Sequence, residues 1–174
     1  MCTFVLAGLP KDADVARLRA RGWSWIPVDN AALVRATAGR HAWFHASGSV
    51  CECETSLGAA HVARAPHGRT KHLPRGAERW SATKRERWHA QREAVAHRDL
   101  ASTARENASE LAVWHASLGE WISLAGEVAL VVHDFAGALA DPFDVVVEPP
   151  RLLRDVAPVE LGELAPDHVY VFRA

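Results

Sequence analysis

Three thiols make up the whole cysteine supply of this chain, and two of them stand one residue apart in "HASGSVCECETSLG", His45–Gly58. Cys51 and Cys53 flank Glu52, Glu54 follows, and Cys2 lies at the start of the chain. Thiolate sulfur binds zinc and other soft ions, and a structural zinc site takes four ligands in a tetrahedron. Gly48 and Gly58 give the backbone around the pair the freedom to turn both sulfurs toward one ion. The expected centre is zinc held by Cys2, Cys51 and Cys53, with His45 completing the set and His41 or His61 as other candidates for the fourth place. The carboxylates of Glu52 and Glu54 suit a harder ion. Cys2 joins the others if the first strand pairs antiparallel with His41–Ser47, because that pairing brings the chain start beside the exit of the later strand. A bridge between Cys51 and Cys53 would close a ring too tight for a structural staple. The bland alternative buries Cys2 in a core strand and leaves the two loop thiols without a task.

The surrounding chain is ordinary globular material. It has 174 residues, 49% apolar and 24% charged, which points to one domain over residues 1–174. At this length roughly 70% of the unfolded surface can be buried, so no staple is required. No apolar run approaches the roughly 20 residues of a membrane span. The opening "MCTFVLAGLPKDAD" lacks the basic segment of a secretory signal. The expectation is therefore a cytoplasmic protein with no membrane partner, and three cysteines fit a reducing compartment. Charge is uneven: residues 1–61 balance at +1, residues 62–98 at +7 and residues 99–174 at −9. The basic middle either is neutralised within the fold or meets an anionic partner.

The elements that must position the thiols follow from periodicity and punctuation. Cys2–Gly8 reads as a buried strand. A helix follows, capped by Asp12, with Val15 and Leu18 on one face and Gly22 as its stop. "WSWIP" is a second strand with Trp23 and Trp25 on one face, and "NAALVRATAGR" fits either a short helix or a strand. "HAWFHAS" is a strand whose His41, Trp43 and His45 share one face and Ala42 and Phe44 the other. "ETSLGAAHVARA" fits a short helix, and about 62–80 reads as an exposed basic loop. A helical segment covers about 82–125: a Thr83–Glu86 capping box opens it, an apolar stripe runs through Trp88, Ala94 and Val95, and Asn107 caps a second piece ended by Gly126. Glu127–His133, Asp144–Glu148 and His168–Arg173 are further strands, with a mixed stretch of one short strand and a helical turn between the last two. The fold class expected is α+β, a mixed sheet with helices packed on it.

Other chemistry-bearing residues are weaker signals. His89 and His97 are too far apart on a helix to hold one ion, and the histidines of the basic segment read as solvated surface. His133 beside Asp134 could orient a general base. Trp114 and Trp121, with Leu111, Leu118 and Ile122, have core spacing. Trp80 and Trp88 sit among Arg79, Lys84, Arg85, Arg87 and Arg92, a mixture that could stack bases and contact phosphate, so a nucleic-acid or acidic partner for 62–98 stands as an alternative. No phosphate-binding Gly-rich loop, Gly-x-Ser-x-Gly elbow or His-Glu-x-x-His is present.

Two resemblances attach to these residues. Met1–Thr3, "MCT", resembles the opening of N-terminal-nucleophile hydrolases such as bile-salt hydrolases and the glutaminase domains of amidotransferases. That likeness implies removal of Met1, a Cys2 thiol as nucleophile and its free amine as base. The Met-Cys-Thr-Phe start, the Gly48–Thr55 pattern Gly-x-x-Cys-x-Cys-x-Thr and the ending "HVYVF" also resemble a family of uncharacterised small bacterial proteins. This second likeness implies only that Cys2, Cys51 and Cys53 belong together.

Overall fold

Two strands carry apolar residues at nearly every position, and both lie inside the sheet. In β1 (Cys2–Pro10) Val5, Leu6, Ala7 and Leu9 are all fully buried, and in β4 (Glu127–Phe135) Val128 to Val132 are buried. Such runs need cover on both faces, which is why they lack the alternation of a half-solvated strand. The computed structural model describes residues 2–20, 23–47, 55–58, 80–135 and 138–174.

The remaining elements among these residues are α1 (Val15–Arg19), β2 (Ser24–Pro27), α2 (Ala31–Ala36), β3 (His41–Ser47), α3 (Ala82–Ala125), β5 (Val146–Val147), β6 (Arg151–Leu152) and β7 (His168–Arg173). Two 3-10 turns, Leu153–Asp155 and Pro158–Glu163, precede β7. The seven strands form one sheet in the order β2-β3-β1-β4-β7-β5, with β6 also on β7. Pairings through β2, β3, β1, β4 and β7 are antiparallel, and β5 and β6 run parallel to β7. The fold is α+β with a mixed sheet.

Each face has its own core. On one, Val5, Ala7, Leu9, Trp25, Phe44, Ala46, Val128 and Leu130 meet Leu111, Trp114, Leu118, Trp121 and Ile122 of α3. On the other, Leu6, Trp43, Ala129 and Val131 meet Leu33 of α2, with Phe143 and Val145 partly buried against them. The alternation expected for β3 is present: Trp43 belongs to one core, Phe44 and Ala46 to the other. Trp23 and Trp25 both pack edge-on against Trp121, at 5.0 and 4.8 Å between centroids.

Several boundaries differ from the sequence expectation. Asp14, not Asp12, caps α1, accepting from the N–H groups of Ala16 and Arg17 at 3.1 and 3.2 Å. The chain is still turning at Ala13, whose N–H donates to the Pro10 carbonyl, so the cap falls two residues later. Ser81, not Thr83, caps α3, its hydroxyl accepting from Lys84 N–H at 3.3 Å. Asn107 lies inside a single unbroken helix of 44 residues. An interior Asn costs at most about 0.7 kcal/mol relative to Ala, which the packing of Leu111 to Ile122 offsets. Gly126, at φ 82°, does end the helix. Asn30 resolves the ambiguous segment as helix, capping α2 through bonds from Ala32 and Leu33 N–H. The strand expected over Asp144–Glu148 shrinks to Val146–Val147. Of the short helix expected over "ETSLGAAHVARA", the described residues Thr55–Gly58 form a turn instead, and the rest of it, the basic loop up to residue 79 and the Gly22 stop lie outside the described residues.

Candidate functional site

β1 and β3 are antiparallel, with Leu6 opposite His45 and Pro10 opposite His41. The pairing anticipated from the thiol pattern is therefore present, and the chain start shares one end of the sheet with the exit of β3. On the other side of β1 stands β4, where Cys2 faces Phe135, Thr3 faces Asp134 and Phe4 faces His133. Cys51 and Cys53 lie outside the described residues, and Cys2 is described through its backbone alone.

The segment that carries those two cysteines has two described ends. One is the exit of β3. The other is Thr55–Gly58, where Ser56 and Leu57 are buried and Gly58 N–H donates to the Leu161 carbonyl at 3.1 Å. Gly58 packs against β4: a side-chain carbon there would lie 3.7 Å from Val132 Cγ1. Since β1 lies between β3 and β4, the two ends of the thiol segment stand on either side of the strand that begins with Cys2.

Glu110 of α3 fixes the second end. Its carboxylate accepts from the Ser56 hydroxyl at 2.6 Å, Ser56 N–H at 3.1 Å and the Thr55 hydroxyl at 3.1 Å. Trp114 Nε1 donates to it at 3.3 Å. Burial pushes the Glu110 carboxyl up, but these bonds outweigh it and hold the group below its ordinary 4.5. Nothing in the sequence pairs Glu110 with Thr55 and Ser56, because the partners lie on elements distant along the chain.

The histidines sort by position on β3 and β4. His45 is 4% exposed and meets the edge of Phe4, with ring centroids 5.1 Å apart. Standing opposite Leu6, it lies four residues, about 13 Å, along the strands from Cys2. Its ring packs on Phe4 at the end of the sheet that β1 shares with the exit of β3. His41 faces Pro10 at the opposite end of β1. It is fully buried with Nε2 3.1 Å from Glu127 Oε1, within ion-pair range but without hydrogen-bond alignment. Burial, the largest influence, holds His41 below its ordinary 6.5 despite the pull of Glu127. His61 lies outside the described residues.

His133 does have a carboxylate partner, but it is Asp167 rather than Asp134. His133 Nδ1 bonds Asp167 Oδ1 closely and the ring stacks on Phe143 at 3.8 Å. Asp134 instead accepts from Thr3 Oγ1 at 2.5 Å. Neighbours on a strand point to opposite faces, so a His–Asp pair adjacent in sequence could not meet there. Trp80 carries Lys84 Nζ 4.6 Å above its ring, and Trp88 meets the edge of His89.

Among the described residues no group of three or more His, Cys, Asp or Glu side chains is gathered as a metal site, and no helix is long and apolar enough to cross a membrane. No family model matches this chain, and neither a curated protein nor a solved structure matches it.

Proposed function

We propose that the protein carries a zinc–thiolate centre built by Cys2, Cys51 and Cys53 at the end of the sheet where β1 begins. The observation that carries this reading is the order β3-β1-β4, with the thiol segment leaving from β3 and returning at Gly58 against Val132 of β4. The two described points between which Cys51 and Cys53 fall in the sequence thus lie by the strands on either side of β1, which starts with Cys2. The fourth position falls to His45, to another histidine or to water: a histidine makes a closed structural site, a water an open catalytic one. The setting proposed is a reducing, cytoplasmic one, where thiols stay available to metal.

Elemental analysis of protein purified without chelator tests the reading. Wild type should carry one zinc per chain and Cys51→Ser should lose most of it. A wild type without stoichiometric metal rejects it.

A second reading makes Cys2 the nucleophile of an N-terminal-cysteine hydrolase. It draws on the position of Cys2 on an interior strand, one row from the Thr3–Asp134 bond and two from His133 with its Asp167 partner. This reading requires loss of Met1, so an intact mass that retains Met1 removes it.

A further inference from the structure

The long helix is exposed over the described side chains of its first turns. At about 1.5 Å per residue it spans roughly 66 Å, yet among the described residues it enters the core only from Leu111 onward. Ser81 to Gln91 are exposed at every position except the half-buried Trp88. Helices take most of their stability from packing, and one that is polar all round bridges to something else, is held by pairs four residues apart along it, or melts.

Charge indicates what it meets. Ala82–Arg98 carries Lys84, Arg85, Arg87, Arg92 and Arg98 against Glu86 and Glu93, a balance of +3. Asp99–Ala125 carries Arg105 against Asp99, Glu106, Glu110 and Glu120, a balance of −3. The described solvent side of this second half begins with the exposed Arg105 and Glu106 and continues in small residues, Ala108, Ser109, Ala112 and Ala116, around Val113, which is 58% exposed. Small residues let a second helix approach closely. An antiparallel partner with the same sequence would set each positive half on the other's negative half. With the two-fold axis near Ala104, Arg85 and Arg87 of one copy lie within one helical turn of Glu120 of the other.

We propose that two copies of this chain associate through α3 packed antiparallel on itself. A nucleic acid would match the positive half alone and leave Val113 uncovered, whereas a second copy complements both halves. The inference stands apart from the metal reading.

Sedimentation equilibrium of the full chain as purified, over a range of concentration and salt, tests it. The expected result is a dimer at low ionic strength whose dissociation constant rises at least ~10-fold as salt goes from ~0.05 M to ~0.5 M. The double variant Arg85→Glu with Arg87→Glu should be monomeric alone, as should Glu120→Arg. Mixed in equal amounts the two should associate again, because each end of the mixed pair regains opposite charges, a recovery that misfolded chains could not give. Monomer under all conditions, or a dimer that neither variant weakens, overturns the proposal. So does a monomer that forms a complex only when a mixed-sequence oligonucleotide is added.

Discussion

The Glu110 carboxylate and the Ser56 hydroxyl, 2.6 Å apart, tie the long helix to the return of the thiol segment. Ser56 gives the same carboxylate its backbone N–H as well, and Thr55 adds a second hydroxyl. A charged acceptor makes each of these bonds stronger than a neutral pair would be. The helix that covers one face of the sheet thereby also fixes the chain at Thr55 and Ser56, just after Cys53 in the sequence.

Glu110→Ala should lower stability by roughly 1–3 kcal/mol, since it strands buried donors of Ser56 and Trp114. The pH dependence follows from the direction of its shift. A carboxyl held below 4.5 when folded contributes stability that is fully present above that value and lost as pH falls through the folded value. Urea denaturation from neutral to acid pH should therefore show a steeper acid-side loss in wild type than in Glu110→Ala.

His41 should govern a different window. Its folded value lies below 6.5, so the unfolded chain binds the proton first and stability falls as pH drops from 6.5 toward the folded value. His41→Gln should flatten the stability profile in that window. An unchanged slope there would mean that the buried imidazole accepts its proton with little penalty.

Two glycines at positive φ should respond differently to alanine. Gly58 has φ +66° and an added methyl would meet the Leu164 carbonyl oxygen at 2.8 Å, whereas Gly126, at φ +82°, has nothing within 4 Å. Gly126→Ala should cost about 1–2 kcal/mol from backbone conformation alone. Gly58→Ala should cost clearly more and disturb the return of the thiol segment. Thermal denaturation of the two variants side by side measures the difference.

The layered fold was largely legible because burial leaves a period in the sequence. β1 and β4 announce themselves as unbroken apolar runs, and Leu111, Trp114, Leu118, Trp121 and Ile122 mark the core side of α3 at helical spacing. Caps were misplaced by two residues at Asp14 and Ser81, because several nearby residues can each accept a backbone N–H and the choice depends on where the preceding turn finishes. The antiparallel partner of β1 was anticipated, but its register was not. A strand pattern does not say which rows oppose, and that register separates His45 from Cys2. Glu110 and Asp167 could not be found from the sequence, since each meets its partner only through tertiary packing.

The intact mass of the purified chain separates the two readings of Cys2. The metal reading holds with or without Met1 and requires bound metal, whereas retention of Met1 removes the hydrolase reading. A chain lacking Met1, with activity on an amide substrate abolished by Cys2→Ala, would favour the hydrolase.

X-ray absorption at the zinc edge, on protein purified without chelator, tests the central claim most directly. The account predicts a first shell of three sulfur atoms at about 2.3 Å and one nitrogen or oxygen at about 2.0–2.2 Å, with one sulfur lost in Cys2→Ser. A shell of nitrogen and oxygen alone, or one that keeps all its sulfur when Cys2 is replaced, would contradict it.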